Sequence, residues 1–189
     1  MKVITKQEQP KRKWSGGITT QLYIFPEKSA YNRRNFDFRI STATIDTPSS
    51  VFTPLPGVSR VLMPLKGKLT LNHEGHHTKA LKPYESDTFS GDWKTTCSGK
   101  GIDFNLMTTG NKKGVLIPLE LEEDDVIFST DFSPFSYFAL YVVESGVSIK
   151  CGGRRVKLSA GDIAIATNKD KQLTIEALDD CQLVISIIE

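Results

Sequence analysis

Apolar and polar positions along this chain follow a short, strand-like rhythm. Residues 136–143 (Ser-Tyr-Phe-Ala-Leu-Tyr-Val-Val), 173–178 (Leu-Thr-Ile-Glu-Ala-Leu) and 182–188 (Gln-Leu-Val-Ile-Ser-Ile-Ile) are β-branched or aromatic runs of strand length. Turn clusters separate such runs: Cys151-Gly-Gly-Arg154, Ser159-Ala-Gly-Asp162, Asn168-Lys-Asp170 and Asp179-Asp180. No window sustains apolar residues at helical spacing over several turns. Regular short strands with frequent turns predict an all-β sandwich or barrel.

The pattern also repeats. Val61-Leu-Met-Pro-Leu-Lys-Gly67 leads into the strand Lys68–Leu71, the turn His73-Glu-Gly75 and then Leu81-Lys-Pro-Tyr-Glu-Ser-Asp87. The second half keeps the order: Leu140-Tyr-Val-Val-Glu-Ser-Gly146, the strand Val147–Ile149, the turn Cys151–Gly153, Leu158-Ser-Ala-Gly-Asp162 and the strand Ile163–Ile165. Gly67 and Gly146 are as far apart as Phe104 and Leu183, so one offset relates both pairs, the mark of a two-copy fold. Strand, Gly, strand, turn, Leu-x-x-Gly-Asp and strand is the grammar of a cupin barrel. In its tight reversal, Gly supplies a positive φ and Asp bonds its own backbone. The expected architecture is a double-stranded β-helix used twice, a bicupin. The first barrel, with the N-terminal strands, takes 1–112 and the second takes 113–189. The acidic run Glu120–Asp125 is expected at the surface, as the connection or an edge of the second barrel.

Composition narrows the function classes. With 39% apolar residues the chain can bury a sizeable core. Lys and Arg number 24 against 22 Asp and Glu, a net charge of +2, too even for a broad phosphate-tracking surface, so nucleic acid is not expected as a partner. The densest basic run, Lys11-Arg12-Lys13, reads as a solvated turn before a strand. No apolar run has the length of a signal-peptide core or a membrane span, so neither secretion nor a membrane partner is expected. Cys97, Cys151 and Cys181 are odd in number, far apart and without a CxxC pair, so they outline neither a disulfide framework nor a zinc site. A reducing cytoplasm fits these features.

Many cupins hold a metal through histidines and a glutamate at fixed distances before the Gly at position 67 here. Counting back, the glutamate position falls on Arg60, and no imidazole or carboxylate lies among Thr53–Pro56, where the histidines belong. In the second copy Ala139 takes the glutamate position, and no histidine follows Asp162. No cofactor and no metal are therefore expected in either barrel. The three histidines cluster in His73-Glu-Gly-His-His77, which reads as a hairpin tip with exposed ligands and nothing to hold them. Arg60 falls on a strand whose alternate side chains face the interior. A guanidinium there needs an anion, either an internal carboxylate (Asp37, Asp87, Asp92 or Asp103) or a ligand carboxylate held bidentately.

Several motifs in order over residues 14–107 carry a family resemblance. Trp14-Ser-Gly-Gly-Ile-Thr-Thr-Gln21, Phe36-Asp-Phe-Arg-Ile-Ser-Thr-Ala43, Leu55-Pro-Gly-Val-Ser-Arg60, Phe89-Ser-Gly-Asp92 and Asp103-Phe-Asn-Leu-Met107 resemble the W-x-G-G-x-T, D-F-x-R/W-R-x-S-x-A, F-P-G-x-x-R, F-x-G-D and D-F-N-L-M steps of the HutD/Ves family. The resemblance implies a bicupin associated with histidine utilisation. Such a protein would bind a small acidic intermediate such as N-formylglutamate or urocanate and restrain the pathway, with no enzymatic activity firmly assigned. A stress-associated branch has a less defined role.

The motif residues supply what a pocket for a small acidic metabolite needs: a cation (Arg60), an amide (Asn105), hydroxyls (Thr19 and Ser41) and aromatics (Trp14, Phe38 and Phe89), with Asp92 and Asp103 as further candidates for ligand contact. Each also has a plain structural reading: core for the aromatics, turn or salt bridge for the aspartates. Three functions stay open. The leading one is a metal-free sensor or modulator that holds a carboxylate at Arg60 and uses no catalytic residue. The second is an isomerase or hydrolase using Asp103 or Asp92 as general acid/base, although no nucleophile–histidine arrangement is visible. The third is an interaction module, with a homodimer built on the second barrel and Arg60 satisfied internally.

Overall fold

The strands and turns of the pattern are present in a computed structural model that describes residues 1–129, 135–170 and 172–189. Chain contacts divide it into two units, Gln9–Gly114 and Met1–Glu8 with Val115–Glu189. Strand β1 is Lys2–Ile4. The Gln9–Gly114 unit holds β2 (Lys11–Trp14), β3 (Gly17–Phe25), β4 (Phe38–Ile45), β5 (Ser49–Val51), β6 (Val58–Lys66), β7 (Leu69–His73), β8 (Thr78–Leu81), β9 (Asp87–Ser90), β10 (Thr95–Ser98) and β11 (Gly101–Thr109). A six-stranded sheet, β2-β3-β4-β11-β6-β9, and a four-stranded sheet, β5-β10-β7-β8, form this barrel. All pairs are antiparallel.

The other unit follows the same plan with β12 (Gly114–Leu121), β13 (Val126–Ser129), β14 (Tyr137–Glu144), β15 (Gly146–Cys151), β16 (Arg154–Ser159), β17 (Ile163–Thr167), β18 (Leu173–Ala177) and β19 (Cys181–Ile188). Its sheets are β1-β17-β14-β19-β12 and β13-β18-β15-β16. Among the described residues the one helical element is a 3-10 turn at Tyr31–Arg33. None is long and apolar enough to cross a membrane.

The assignment of all N-terminal strands to the first barrel needs a correction. β1 pairs with β17, Lys2 opposite Ile165 and Ile4 opposite Ile163. Val3 packs against the core of Leu140, Val147 and Leu183. The backbone amide of Lys6 also donates to Asp162 Oδ1 at 2.8 Å. Residues 1–8 therefore complete the C-terminal unit, through a pairing distant in sequence that local pattern does not reveal.

The repeated turn works as its residues predict. Asp162 Oδ2 accepts the amide of Ser159 at 2.9 Å, and in the first copy Glu85 Oε2 accepts that of Lys82 at 2.9 Å. Gly67 holds φ +80, whereas the left-handed residue of the second copy is Ser145, just before Gly146. A Cβ on Gly67 would lie 2.2 Å from the carbonyl oxygen of Lys100. Gly67→Ala should therefore destabilise the chain by about 2–4 kcal/mol in denaturant unfolding. An unchanged midpoint would show that the β6–β7 connection does not need this close approach.

The two interiors differ. In the C-terminal unit aliphatic side chains, among them Val142, Val147, Ile149, Leu158, Ile175 and Leu183, fill the core. In the Gln9–Gly114 unit a comparable cluster of Leu62, Leu69, Leu71, Leu81 and Phe89 fills only part of the barrel. The rest is a cavity.

Candidate functional site

Period-two alternation along adjacent strands builds this cavity. Thr19 on β3, Ala43 on β4 and Asp103 on β11 form one row across the sheet. Gln21, Ser41 and Asn105 form the next. Arg39 on β4, Met107 on β11 and Arg60 on β6 form a third. All of these side chains line one cavity of about 750 Å³, with Trp14, Tyr31, Phe52 and Leu55 supplying apolar wall. β2 also borders it, so Lys11-Arg12-Lys13 is not a turn before a strand. It is an exposed edge strand paired with β3 at the cavity.

Charge in the cavity is one-sided. Lys11, Arg12, Lys13, Arg34, Arg39 and Arg60 line it, against Asp103 as the one acidic lining residue among the described residues. Arg39 and Arg60 are buried, 6% and 7% exposed. Arg39 donates through Nε to Gln21 Oε1 at 3.0 Å and through Nη1 to Ser41 Oγ at 2.9 Å, and lies 4.5 Å over the Tyr31 ring. Burial pulls its pKa down to about 10, and the charge of Arg60 pulls the same way. Arg60 sits 4.6 Å over Phe52 and 5.0 Å over Phe89, and its buried Nε has no hydrogen-bond partner among the described residues. Burial lowers its pKa too, while Asp103 acts on it only through its field. Burial in turn pushes the Asp103 carboxyl up to about 7 against the opposing pull of Arg60. Asn105 Oδ1 and Trp14 Nε1 are likewise buried and unpartnered. Two donors and one acceptor thus converge in a cationic, largely desolvated space.

The expected site residues divide accordingly. Arg60, Asn105, Ser41, Thr19, Trp14 and Asp103 come together. Trp14 is placed by Gly16, whose missing side chain leaves room for the indole; a Cβ there would fall 2.0 Å from the ring. Phe38 does not belong to the site. It alternates with Arg39 along β4, points to the opposite face, and is fully buried against Tyr23 and Phe25. Phe89 is absent from the cavity lining and instead supports Arg60 from beneath. Asp92 is exposed and caps its own turn, accepting from Ser90 Oγ at 3.1 Å and the Gly57 amide at 3.5 Å. Arg39, Gln21 and Tyr31 were not expected in the site. For Arg39 the signal was present: it lies two positions before Ser41, on the same strand face.

The barrel interior does not suit a cupin metal. Arg60 occupies the position of the metal-binding glutamate, and guanidinium groups with an amide are not a donor set for a cation. The histidine cluster does lie at the β7–β8 hairpin turn, with His76 and His77 exposed, but His73 departs from that expectation. His73 is 1% exposed at the end of β7, with Nδ1 2.8 Å from Thr95 Oγ1 and Nε2 3.1 Å from Asp87 Oδ2. Burial lowers its pKa, which the Asp87 hydrogen bond only partly offsets. His77 Nε2 lies 2.9 Å from the same Asp87 oxygen. Burial raises the pKa of Asp87, and its hydrogen bonds to His77 and His73 outweigh that and hold it below the usual carboxylate value.

Comparison with known proteins agrees with this architecture. The sequence pattern of the HutD family matches residues 6–185. No curated protein sequence matches the chain. A conserved protein of unknown function from Pseudomonas aeruginosa PAO1 is 21% identical, with TM-score 0.84 over 100% of this chain and 98% of its own. HutD from Pseudomonas fluorescens SBW25 is 20% identical, with TM-score 0.71 over 99% and 97%. The pirin YhhW from Escherichia coli, solved in complex with nickel(II), is 12% identical, with TM-score 0.73 over 98% and 97%. At these identities the likeness is one of fold, the two-barrel cupin. Because the family pattern runs through both barrels and across every motif that builds the cavity, the chain belongs to the HutD family.

Proposed function

We propose that the Gln9–Gly114 barrel binds a small carboxylate bearing an N–H group, and that binding lets the protein sense or modulate histidine utilisation. Arg60 carries this reading. It is a buried guanidinium between two aromatic faces, with an unpartnered Nε and no carboxylate in ion-pairing range among the described residues. A ligand carboxylate would satisfy it, and Arg39 would add a second cation. Asn105 Oδ1 would accept the N–H, and Trp14 and Phe52 would cover the apolar stem. N-formylglutamate and urocanate both have this chemistry. Membership of the family and the likeness to HutD from Pseudomonas fluorescens, solved in a formate condition, support the link with histidine utilisation. The interaction-module reading is weaker, since it needs Arg60 to be satisfied internally. The three cysteines are free and buried, in keeping with a reducing compartment.

Thermal melting with N-formylglutamate, urocanate, glutamate, formate and chloride tests the reading. A ligand at a hundredfold excess over Kd stabilises by about 2.7 kcal/mol, a rise of roughly 5–10 °C for a chain of this size. The N–H-bearing acids should give the larger shifts and formate a smaller one; no shift with any acid would remove the proposal. One observation favours a second reading, an enzyme on the same acid: Asp103, with its pKa near 7, is poised for general acid/base work in the same cavity. Proton NMR of each acid before and after incubation separates the two, because the sensor leaves every spectrum unchanged.

A further inference from the structure

His73, His77 and Asp87 form a second constellation in the Gln9–Gly114 unit, apart from the cavity. Their candidate ligand atoms all lie within 4.8 Å of one another. The histidines stand at the end of β7 and in the turn to β8, in the four-stranded sheet, whereas Asp87 opens β9 at the edge of the six-stranded sheet. Both Nε2 atoms converge on Asp87 Oδ2, at 3.1 and 2.9 Å, and Lys79 Nζ lies 3.8 Å from the other oxygen. Ligand atoms around a tetrahedral zinc with bonds of about 2.0–2.1 Å sit roughly 3.3 Å apart, so both nitrogen–oxygen separations already match to within a few tenths of an ångström.

The hydrogen bonds behind His73 are compatible with the metal-binding tautomer. Thr95 Oγ1 lies 2.8 Å from His73 Nδ1 and 3.3 Å from the Trp93 carbonyl oxygen. A hydroxyl has one proton. If Thr95 gives it to that carbonyl, it accepts from His73 Nδ1–H, and the neutral ring turns the lone pair of Nε2 toward a carboxylate oxygen. Two electron-rich atoms then face each other, and either a proton on Nε2, which makes the hydrogen bond to Asp87, or a metal ion between them relieves the repulsion. A ring N–H held by a neighbour while the other nitrogen faces the ion is the usual support of a metal-binding histidine. Phe89 and Trp93 flank the His73 ring at 4.4 and 5.5 Å. The His77 side chain is 40% exposed and leaves an entry path.

We propose that His73 Nε2, His77 Nε2 and an Asp87 oxygen bind one divalent first-row transition metal, zinc by preference, with the remaining coordination open to solvent. Two imidazoles and one carboxylate suit such an ion. By joining the β7–β8 turn to β9, it clips the two sheets of the barrel together. This site is separate from the interior position that Arg60 occupies, and the expectation of no metal at these histidines rested on an exposure that His73 does not have.

The test uses the full chain without a histidine tag, stripped with chelator. Cobalt(II) is titrated by visible absorption and by quenching of Trp93 fluorescence, and zinc is then used to displace it. One equivalent should bind with micromolar or tighter Kd, and zinc should raise the melting temperature. Asp87→Asn, which keeps the shape of the buried side chain, and His77→Ala, at the half-exposed position, should each weaken zinc at least about tenfold. His76→Ala should leave binding unchanged, since His76 stacks on Trp93 outside the ligand set. Binding unaffected by Asp87→Asn and His77→Ala, binding lost in His76→Ala, or no binding at a hundred micromolar zinc would each overturn the proposal.

Discussion

Arg60→Met is expected to bind a small carboxylate about a hundredfold or more weakly than the unaltered chain, a loss of ~3 kcal/mol, while melting at a higher temperature. The two effects share one cause. A guanidinium 7% exposed, without a carboxylate contact among the described residues, retains a desolvation penalty that the aromatic faces of Phe52 and Phe89 only partly offset. Methionine is of similar length, is apolar and fits beside Phe89, so the substitution should stabilise the free protein by on the order of 1–3 kcal/mol. A residue that opposes stability when free and carries affinity when bound marks a ligand site. Isothermal titration with N-formylglutamate or urocanate, alongside denaturant unfolding, reads both effects. Retained affinity would return Arg60 to a structural role, and a large drop in stability would show that it holds the barrel together.

Arg39 should behave differently, and the contrast isolates what Arg60 does. Its guanidinium already has Gln21 and Ser41 as acceptors, so its removal strands two polar groups as well as a charge. Among the described residues Arg60 has the faces of Phe52 and Phe89 beside it and, from Asp103, only a field. The arginine with fewer internal partners is the better candidate for direct ligand contact.

The two-copy architecture and half of the cavity were legible in the sequence because both depend on short-range rules. Period two along Arg39-Ile40-Ser41-Thr42-Ala43 and Asp103-Phe104-Asn105-Leu106-Met107 fixes which side chains share a face, and the motif around Arg60 fixes the third strand. Phe38 was misplaced by trusting motif membership over that alternation; its neighbour Arg39 is the one that faces in. What stayed hidden depends on partners distant in sequence. His73 looks like the start of a loop until Thr95 and Asp87 close over it. Residues 1–8 read as part of the first barrel until β1 pairs with β17.

Carboxylate affinity should fall as pH rises through about 7, because Asp103 loses its proton there. Burial raises the pKa of this group from 3.8 to about 7 even though Arg60, the Ala43 amide and Arg39 pull it down. A protonated Asp103 leaves the field of both arginines to the ligand. An ionised one competes for them and repels the incoming anion, so binding takes up a proton. Affinity should then weaken by up to about tenfold per pH unit above the pKa and level off below it. For folding, the sign follows from proton counts. Between about pH 4 and 7 the folded chain holds a proton on Asp103 that the unfolded chain has lost. The contribution of this group to stability is therefore full below the unfolded pKa and is lost as pH rises to about 7, at up to about 1.4 kcal/mol per unit. Asp103→Asn should remove both dependences, read as the difference between variant and unaltered chain, since Asp87 and Asp170, with lowered pKa values, slope the opposite way. In Arg60→Met the opposing charge is gone, so the inflection in stability should move to higher pH. A profile unchanged by Asp103→Asn would mean that another group carries the proton and that the arginines meet the ligand without competition.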